Sequence, residues 1–223
     1  MEYLLRRTPS APALDTDWES NDWKNANIAE INNFRPESSD HRPKVLLKLQ
    51  YNGDGIYGLF KVSDKYIRSI QTEFQSGVCK DSCVEFFVQP GTEKGYFNFE
   101  FNCGGTLLVY YIKDNERTPD GFRKSVKLNE KDRELIEIYH SMPSVVEPEI
   151  KEEKEWYLGF HIPFALFERY KNMDYKNIDG TEWRANFYKC GDGTSHPHWA
   201  SWSPVSKLNF HLPECFGRIV FKK

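Results

Sequence analysis

The residues best suited to chemistry lie between Trp183 and Phe221. The stretch reads W-R-A-N-F-Y-K-C, then G-D-G-T-S-H-P-H-W-A-S-W-S-P-V, then, after S-K-L, N-F-H-L-P-E-C-F-G-R-I-V-F. Its two ends read as strands, and the connector carries Trp199, Trp202, His196 and His198. Along Trp183–Cys190, Arg184, Asn186 and Tyr188 share one face, because successive strand side chains point to opposite sides. Sugars offer C–H-lined faces that stack on indoles and rims of hydroxyls that pair with Arg, Asn and Glu. An indole in a loop is costly to expose unless core or ligand covers it. Each of Trp199 and Trp202 therefore either meets a ligand or plugs the end of the scaffold.

Other chemistries have thinner support. His196 and His198, separated by Pro197, face one side of an extended segment, with Asp192 as the nearby carboxylate, a weak set for a metal. Five cysteines (Cys79, Cys83, Cys103, Cys190 and Cys215) are an odd number at irregular spacing, which does not read as a disulfide framework. Cys79 and Cys83 are ligand types, but no second pair completes a zinc set, and buried free thiols in a reducing compartment are the better account. Asp15, Asp17 and Asp22 are the oxygen ligands calcium uses, without the spacing of a known loop. There is no phosphate-binding glycine loop and no nucleophile elbow, and no carboxylate pair stands out for glycoside hydrolysis.

The elements that must position these residues are mostly strands. Residues 1–22 read as an extended arm docking through Leu14 and Trp18; for Trp23–Phe34 periodicity does not separate helix from strand. Val45–Tyr51 and Ile56–Ser63, joined through N-G-D-G, predict a hairpin, since those turn residues tolerate positive φ. Tyr66–Gly77 reads as a connection. Asp81–Pro90 (D-S-C-V-E-F-F-V-Q-P) is a strand, and Gly95–Cys103 alternates Phe97, Phe99 and Phe101 against Tyr96, Asn98, Glu100 and Asn102. Thr106–Lys113 is its hairpin partner, 114–134 reads as a loop, and Leu135–His140 as a strand. Pro143–Lys154 reads as a mobile Pro- and Glu-rich connection. Trp156–Ile162 alternates again, Pro163 opens a short helix, and 171–181 is a loop. Many short strands with frequent turns predict an all-β, antiparallel β-sandwich, immunoglobulin- or jelly-roll-like, forming a single domain over 1–223 with one or two short helices.

Bulk properties narrow the partners. With 39% hydrophobic and 28% charged residues the chain can bury a core. Aromatics at 15% suit both strands and a stacking surface. A net charge of −3 without a basic stripe argues against nucleic acid. No stretch has the length of a membrane span. The N-terminus lacks the apolar core of a secretion signal, so either the protein stays inside the cell or the chain is a mature or trimmed form.

Taken together, L-D-T-D-W (14–18), G-I-Y-G-L-F-K-V-S-D (55–64), D-S-C-V-E-F-F-V-Q-P (81–90), W-R-A-N-F-Y-K-C (183–190) and the ending H-W-A-S-W-S-P-V with F-H-L-P-E-C-F-G-R-I-V-F resemble the family 9 carbohydrate-binding modules, related to the DOMON sandwiches. The resemblance spans nearly the whole chain. It implies a β-sandwich, often calcium-stabilised, that binds sugars without cleaving them, holding a sugar between two tryptophans. Carried over, Trp199 or Trp202 is the C-terminal partner, Glu85 the strand acid, and Asn98, Arg184 and Asn186 the rim. The other tryptophan is expected just before the D-x-x-V-E strand, where residues 66–80 offer only Tyr66 and Phe74. The resemblance leaves two other roles open: a haem-binding domain using Met142 with a histidine, and a partner-docking module without a small ligand.

Overall fold

Phe160 stacks on both Phe86 and Phe101, with ring centroids 5.6 and 5.4 Å apart, although these residues are far apart in the sheet. That contact shows how the chain closes. In this computed structural model, which describes residues 1–15, 17–173 and 175–223, the strands are β1 (Glu2–Arg7), β2 (Ile28–Glu30), β3 (Asn33–Phe34), β4 (Lys44–Tyr51), β5 (Gly55–Asp64), β6 (Ile67–Ser69), β7 (Cys83–Gln89), β8 (Tyr96–Asn102), β9 (Leu107–Thr118), β10 (Gly121–Lys127), β11 (Glu137–His140), β12 (Val146–Ile150), β13 (Lys154–Pro163), β14 (Glu182–Cys190), β15 (Trp199–Ser201) and β16 (Gly217–Lys222). Two short helices, α1 (Glu130–Arg133) and α2 (Phe164–Glu168), complete the elements used below.

The main sheet runs β10-β9-β8-β7-β14-β16-β1-β4-β5-β13-β11. It curls over so that β7 and β8 face β13, and the inward residues of both layers form one core. Phe86, Phe97, Phe99, Phe101 and Phe187 meet Leu47, Leu49, Phe60, Trp156, Leu158 and Phe160 there, all fully buried. Each such side chain contributes about 1.5–3 kcal/mol of burial free energy, which is why the alternation in β8 and β13 is so strict. The fold is the expected mostly-β sandwich. Its ladders among the described residues are antiparallel except those of β1, which pairs in parallel with β16 and β4.

The 45–63 hairpin forms as predicted, with Tyr51 opposite Ile56. The Asn52 side chain accepts the N–H groups of Asp54 and Gly55, closing the turn. Trp18 and Leu14 dock as expected, on an outer cluster with Trp23, Tyr57 and Leu59. Thr16 of L-D-T-D-W and Asp174 of the 171–181 loop lie outside the described residues.

Four expectations need correction. The arm is not wholly peripheral, since Glu2–Arg7 is a strand in the middle of the sheet. It buries only Tyr3 and Leu5 on one face, too short an alternation to read. Residues 114–134 are not a plain loop; β9 runs to Thr118 and returns as β10, an exposed hairpin whose two polar faces conceal its period. Pro143–Lys154 contains β12, which pairs with β6, itself inside the supposed connection 66–77. Both are short edge strands.

Candidate functional site

The register of β8, β7, β14 and β15 builds the site in rows on the outward face. In one row Cys83 lies opposite Asn102 on one side and Cys190 on the other, and Cys190 lies opposite Trp199. The next row is Glu100, Glu85, Tyr188 and Ser201, and the third Asn98, Phe87 and Asn186. Arg184, opposite Gln89, extends the same face. Strand alternation thus brings six of the seven sequence-derived candidates to one surface.

The segment 203–216 then folds back across part of that surface, and three candidates hold it there. The Arg184 guanidinium donates to the carbonyls of Glu214 and Phe216 at 3.2 and 2.9 Å. Asn186 donates to the Ser203 carbonyl at 2.9 Å and accepts the Ser203 N–H at 2.8 Å. Tyr188 donates to the Phe210 carbonyl at 2.9 Å, and its ring stacks on Phe210 with centroids 4.0 Å apart. Asn98 is committed locally, accepting the Tyr110 N–H and donating to Glu100 at 2.8 Å each. These residues shape the site from beneath and beside it.

Trp202 belongs to the core. It is 3% exposed, packs on Phe187 at 4.9 Å, and sits where a side chain on Gly217 would come within 2.5 Å of its ring. The reason is parity. Trp199 and Trp202 are three apart across an extended segment, so they face opposite sides of the sheet.

What remains open is a cleft of about 280 Å³ whose lining includes Glu85, Glu100, Asp192, Trp199, Phe210 and His211. Trp199 is half-buried and fixed at three points. Its indole N–H donates to Asp192 Oδ1 at 2.7 Å, its backbone N–H to Ser38 Oγ at 3.0 Å, and its carbonyl accepts the Arg35 N–H at 2.8 Å. Glu85 is buried; Oε1 accepts the Cys190 thiol at 3.2 Å, and Oε2 has no partner. Burial, then the charge of Glu100, pushes the Glu85 carboxyl well above the usual range. Burial likewise raises Glu100 to about 7, opposed by its bond from Asn98. Burial, then the charge of Arg117, lowers His211 to about 3, so its ring is neutral, with Nδ1 2.9 Å from the Tyr96 hydroxyl.

The alternation of β8 places Glu100 on the polar face without marking it as a ligand-binding acid, and in the sequence Asp192 stands out only as a carboxylate near His196 and His198. Phe210 and His211 carried no signal beyond being bulky residues in a loop. Tyr66 and Phe74, considered for the second sugar-facing ring, lie elsewhere. Tyr66 stacks on His196 at 3.6 Å, and Phe74 packs against the core. Phe210 is the second aromatic of the cleft that borders Trp199's cluster.

Among the described residues, two groups of three ligand-type side chains have their donor atoms within 4.8 Å of one another. One is His41, Asp64 and His198; here the buried Lys189 ammonium lies 3.3 Å from Asp64 and 2.8 Å from His198. His198 therefore does not pair with His196, and a cation is already supplied by the chain. The other is Cys83, Glu85 and Cys190. Neither fits calcium, which takes six to eight oxygens. Asp17 and Asp22 of the arm accept the backbone N–H groups of Glu19 and Ala13. Met142 is buried in the core, and His140 contacts its carbonyl at 2.7 Å.

The family described as carbohydrate-binding family 9 matches residues 18–221. The chain belongs to carbohydrate-binding family 9. Among solved structures, this family 9 chain is similar to a candidate carbohydrate-binding protein from Bacteroides uniformis, at 26% identity over 99% of each chain with a TM-score of 0.84. It also shares its fold with a family 9 module from Caldicellulosiruptor kristjanssonii seen with glucose, at 12% identity over 100% of this chain and 96% of that one, with a TM-score of 0.59. The same holds for a module from that organism seen with cellotriose, at 13% identity over 100% and 94%, with a TM-score of 0.60. No curated protein matches the chain. Among the described residues no helix of this family 9 protein is long and apolar enough to cross a membrane.

Proposed function

We propose that the cleft of this family 9 chain holds a carbohydrate without cleaving it, stacking a sugar face on Trp199 and bonding its hydroxyls to Glu85, Glu100 and Asp192. The observation that carries the reading is Glu85 Oε2, buried without a donor beside a half-buried indole. An unsatisfied buried polar atom costs about 1–3 kcal/mol, which a hydroxyl donor from a ligand would recover. Phe210, braced by Tyr188, offers the second ring. The family 9 modules seen with glucose and cellotriose make gluco-configured sugars the first class to try.

The layout favours binding over hydrolysis. Glycosidases place two carboxyl groups on either side of the bond they cut. Glu85 and Glu100 are direct cross-strand partners on one floor, and Asp192 is engaged by the Trp199 indole. Calorimetric titration with a panel including glucose and cellotriose tests the proposal. Saturable binding at one site, without release of new chain ends, is the expected result. Heat-silent mixing with every sugar, or product release from oligosaccharides, would overturn it.

A further inference from the structure

The geometry points to a second ligand at the floor of the cleft: a thiophilic divalent cation such as zinc, held by Cys83, Cys190 and Glu85. The two cysteines are register partners on β7 and β14, and Glu85 lies one row along on the same face. Their donor atoms lie within 4.8 Å of one another, and all three side chains are 2% exposed or less. Two sulfurs and a carboxylate suit zinc or cadmium and disfavour calcium or magnesium. Three protein ligands also leave the fourth tetrahedral position of such an ion free.

A second feature points independently to a missing ligand. Glu85 has one oxygen taken by the Cys190 thiol and the other without a partner, although the residue is 2% exposed. Access exists, because Cys190 and Glu85 both line the cleft, together with Cys79. Ligation releases the two S–H protons, and any proton on the Glu85 carboxyl, to solvent. The Cys190–Glu85 hydrogen bond is replaced, with two metal–sulfur bonds and one metal–carboxylate bond formed in exchange. The filled group carries a net charge of about −1 from two thiolates, one carboxylate and a divalent ion. This inference needs no sugar, though it shares Glu85 with the carbohydrate reading.

The experiment is a cadmium titration of the reduced full chain, followed by thiolate-to-metal charge-transfer absorption in the ultraviolet. We expect a band that saturates at one ion per chain, is lost in Cys190→Ser and in Cys83→Ser, is weakened at least tenfold in apparent affinity by Glu85→Gln, and persists in Cys215→Ser. Circular dichroism identifies any serine variant that fails to fold, and Glu85→Gln, which preserves side-chain size, then decides. No band with cadmium in excess, or a band unchanged in folded Cys190→Ser or in Glu85→Gln, overturns the inference. Trp199→Ala separates the two readings: it should weaken sugar binding at least about tenfold and leave the cadmium band intact. A band in a protein that binds no sugar would sink the carbohydrate reading alone.

Discussion

The Trp199 indole N–H donates to the Asp192 carboxylate at 2.7 Å, so a residue from the turn after β14 fixes the ring that borders the cleft. The bond spans seven residues of chain and sets the one tryptophan that is only half-buried. Asp192→Ala should free that ring. The expected result is a sugar affinity weakened at least about tenfold, in line with the loss of a charge-assisted hydrogen bond of about 1.5 kcal/mol or more, with little change in melting temperature. Calorimetry and a thermal melt of the same variant check both halves.

Trp199 and Trp202 should separate cleanly under mutation. Trp202→Ala opens a cavity against Phe187 and should cost about 3–5 kcal/mol in denaturant unfolding. Trp199→Ala should cost under about 1 kcal/mol of stability, because its ring is only half-buried, yet weaken sugar binding at least about tenfold. Equal stability losses in the two variants would contradict this assignment.

Their separation also marks how much was legible in the sequence. The period-2 patterns of β8, β13 and β14 mark the core and the outward faces, one bearing Asn98 and Glu100 and one bearing Arg184, Asn186 and Tyr188, while Glu85 is marked by the family resemblance. The same alternation, counted through Ala200 and Ser201, places Trp202 on the inner side. Other features were hidden because they depend on distant partners. β1 is a strand only because β16 and β4 flank it, and Arg184 and Asn186 look like ligand-binding residues until segment 203–216 is seen lying across them. Glu85, opposite Glu100 in the register, became a cleft acid only through a pairing that no local pattern announces.

Lys189 is fully buried, bonded to Asp64, His198 and the Cys190 carbonyl. Lys189→Met would leave Asp64 without its ammonium in a dry site, and removal of one partner from a buried pair costs about 3–5 kcal/mol. Equilibrium unfolding at neutral pH measures it. The Lys189→Met, Asp64→Asn double variant should recover part of that loss, since no unpaired charge remains.

His198 gives the protein an acid-sensitive stability. Burial, then the charge of Lys189, lowers it from 6.5 to about 3, so the folded chain refuses a proton that the unfolded chain accepts. Its neutral Nε2 accepts from Lys189, and Nδ1 lies 2.8 Å from the His196 carbonyl, which it meets as a donor. The stabilisation is complete above about pH 6.5 and declines as pH falls toward about 3, by up to roughly 1.4 kcal/mol per pH unit. Asp64, lowered to about 2 by Lys189 and His41 against the effect of burial, adds its own loss only below about pH 4. Glu85 and Glu100, held above the usual carboxylate range, act in the opposite sense over the same window, so the difference between chains is what isolates His198. From pH 7 to 4 the unfolding free energy of His198→Asn should lose less than that of the parent chain, by about one proton in slope.

The most direct test of the account is tryptophan fluorescence during titration with soluble gluco-oligosaccharides. Trp18, Trp23, Trp156, Trp183 and Trp202 are all 3% exposed or less, so Trp199 is the one indole a ligand in the cleft can reach. The account predicts a saturable spectral shift that disappears in Trp199→Phe and survives in Trp202→Phe. A shift that persists without Trp199, or sugar binding by calorimetry with no spectral change, would place the sugar elsewhere on the molecule.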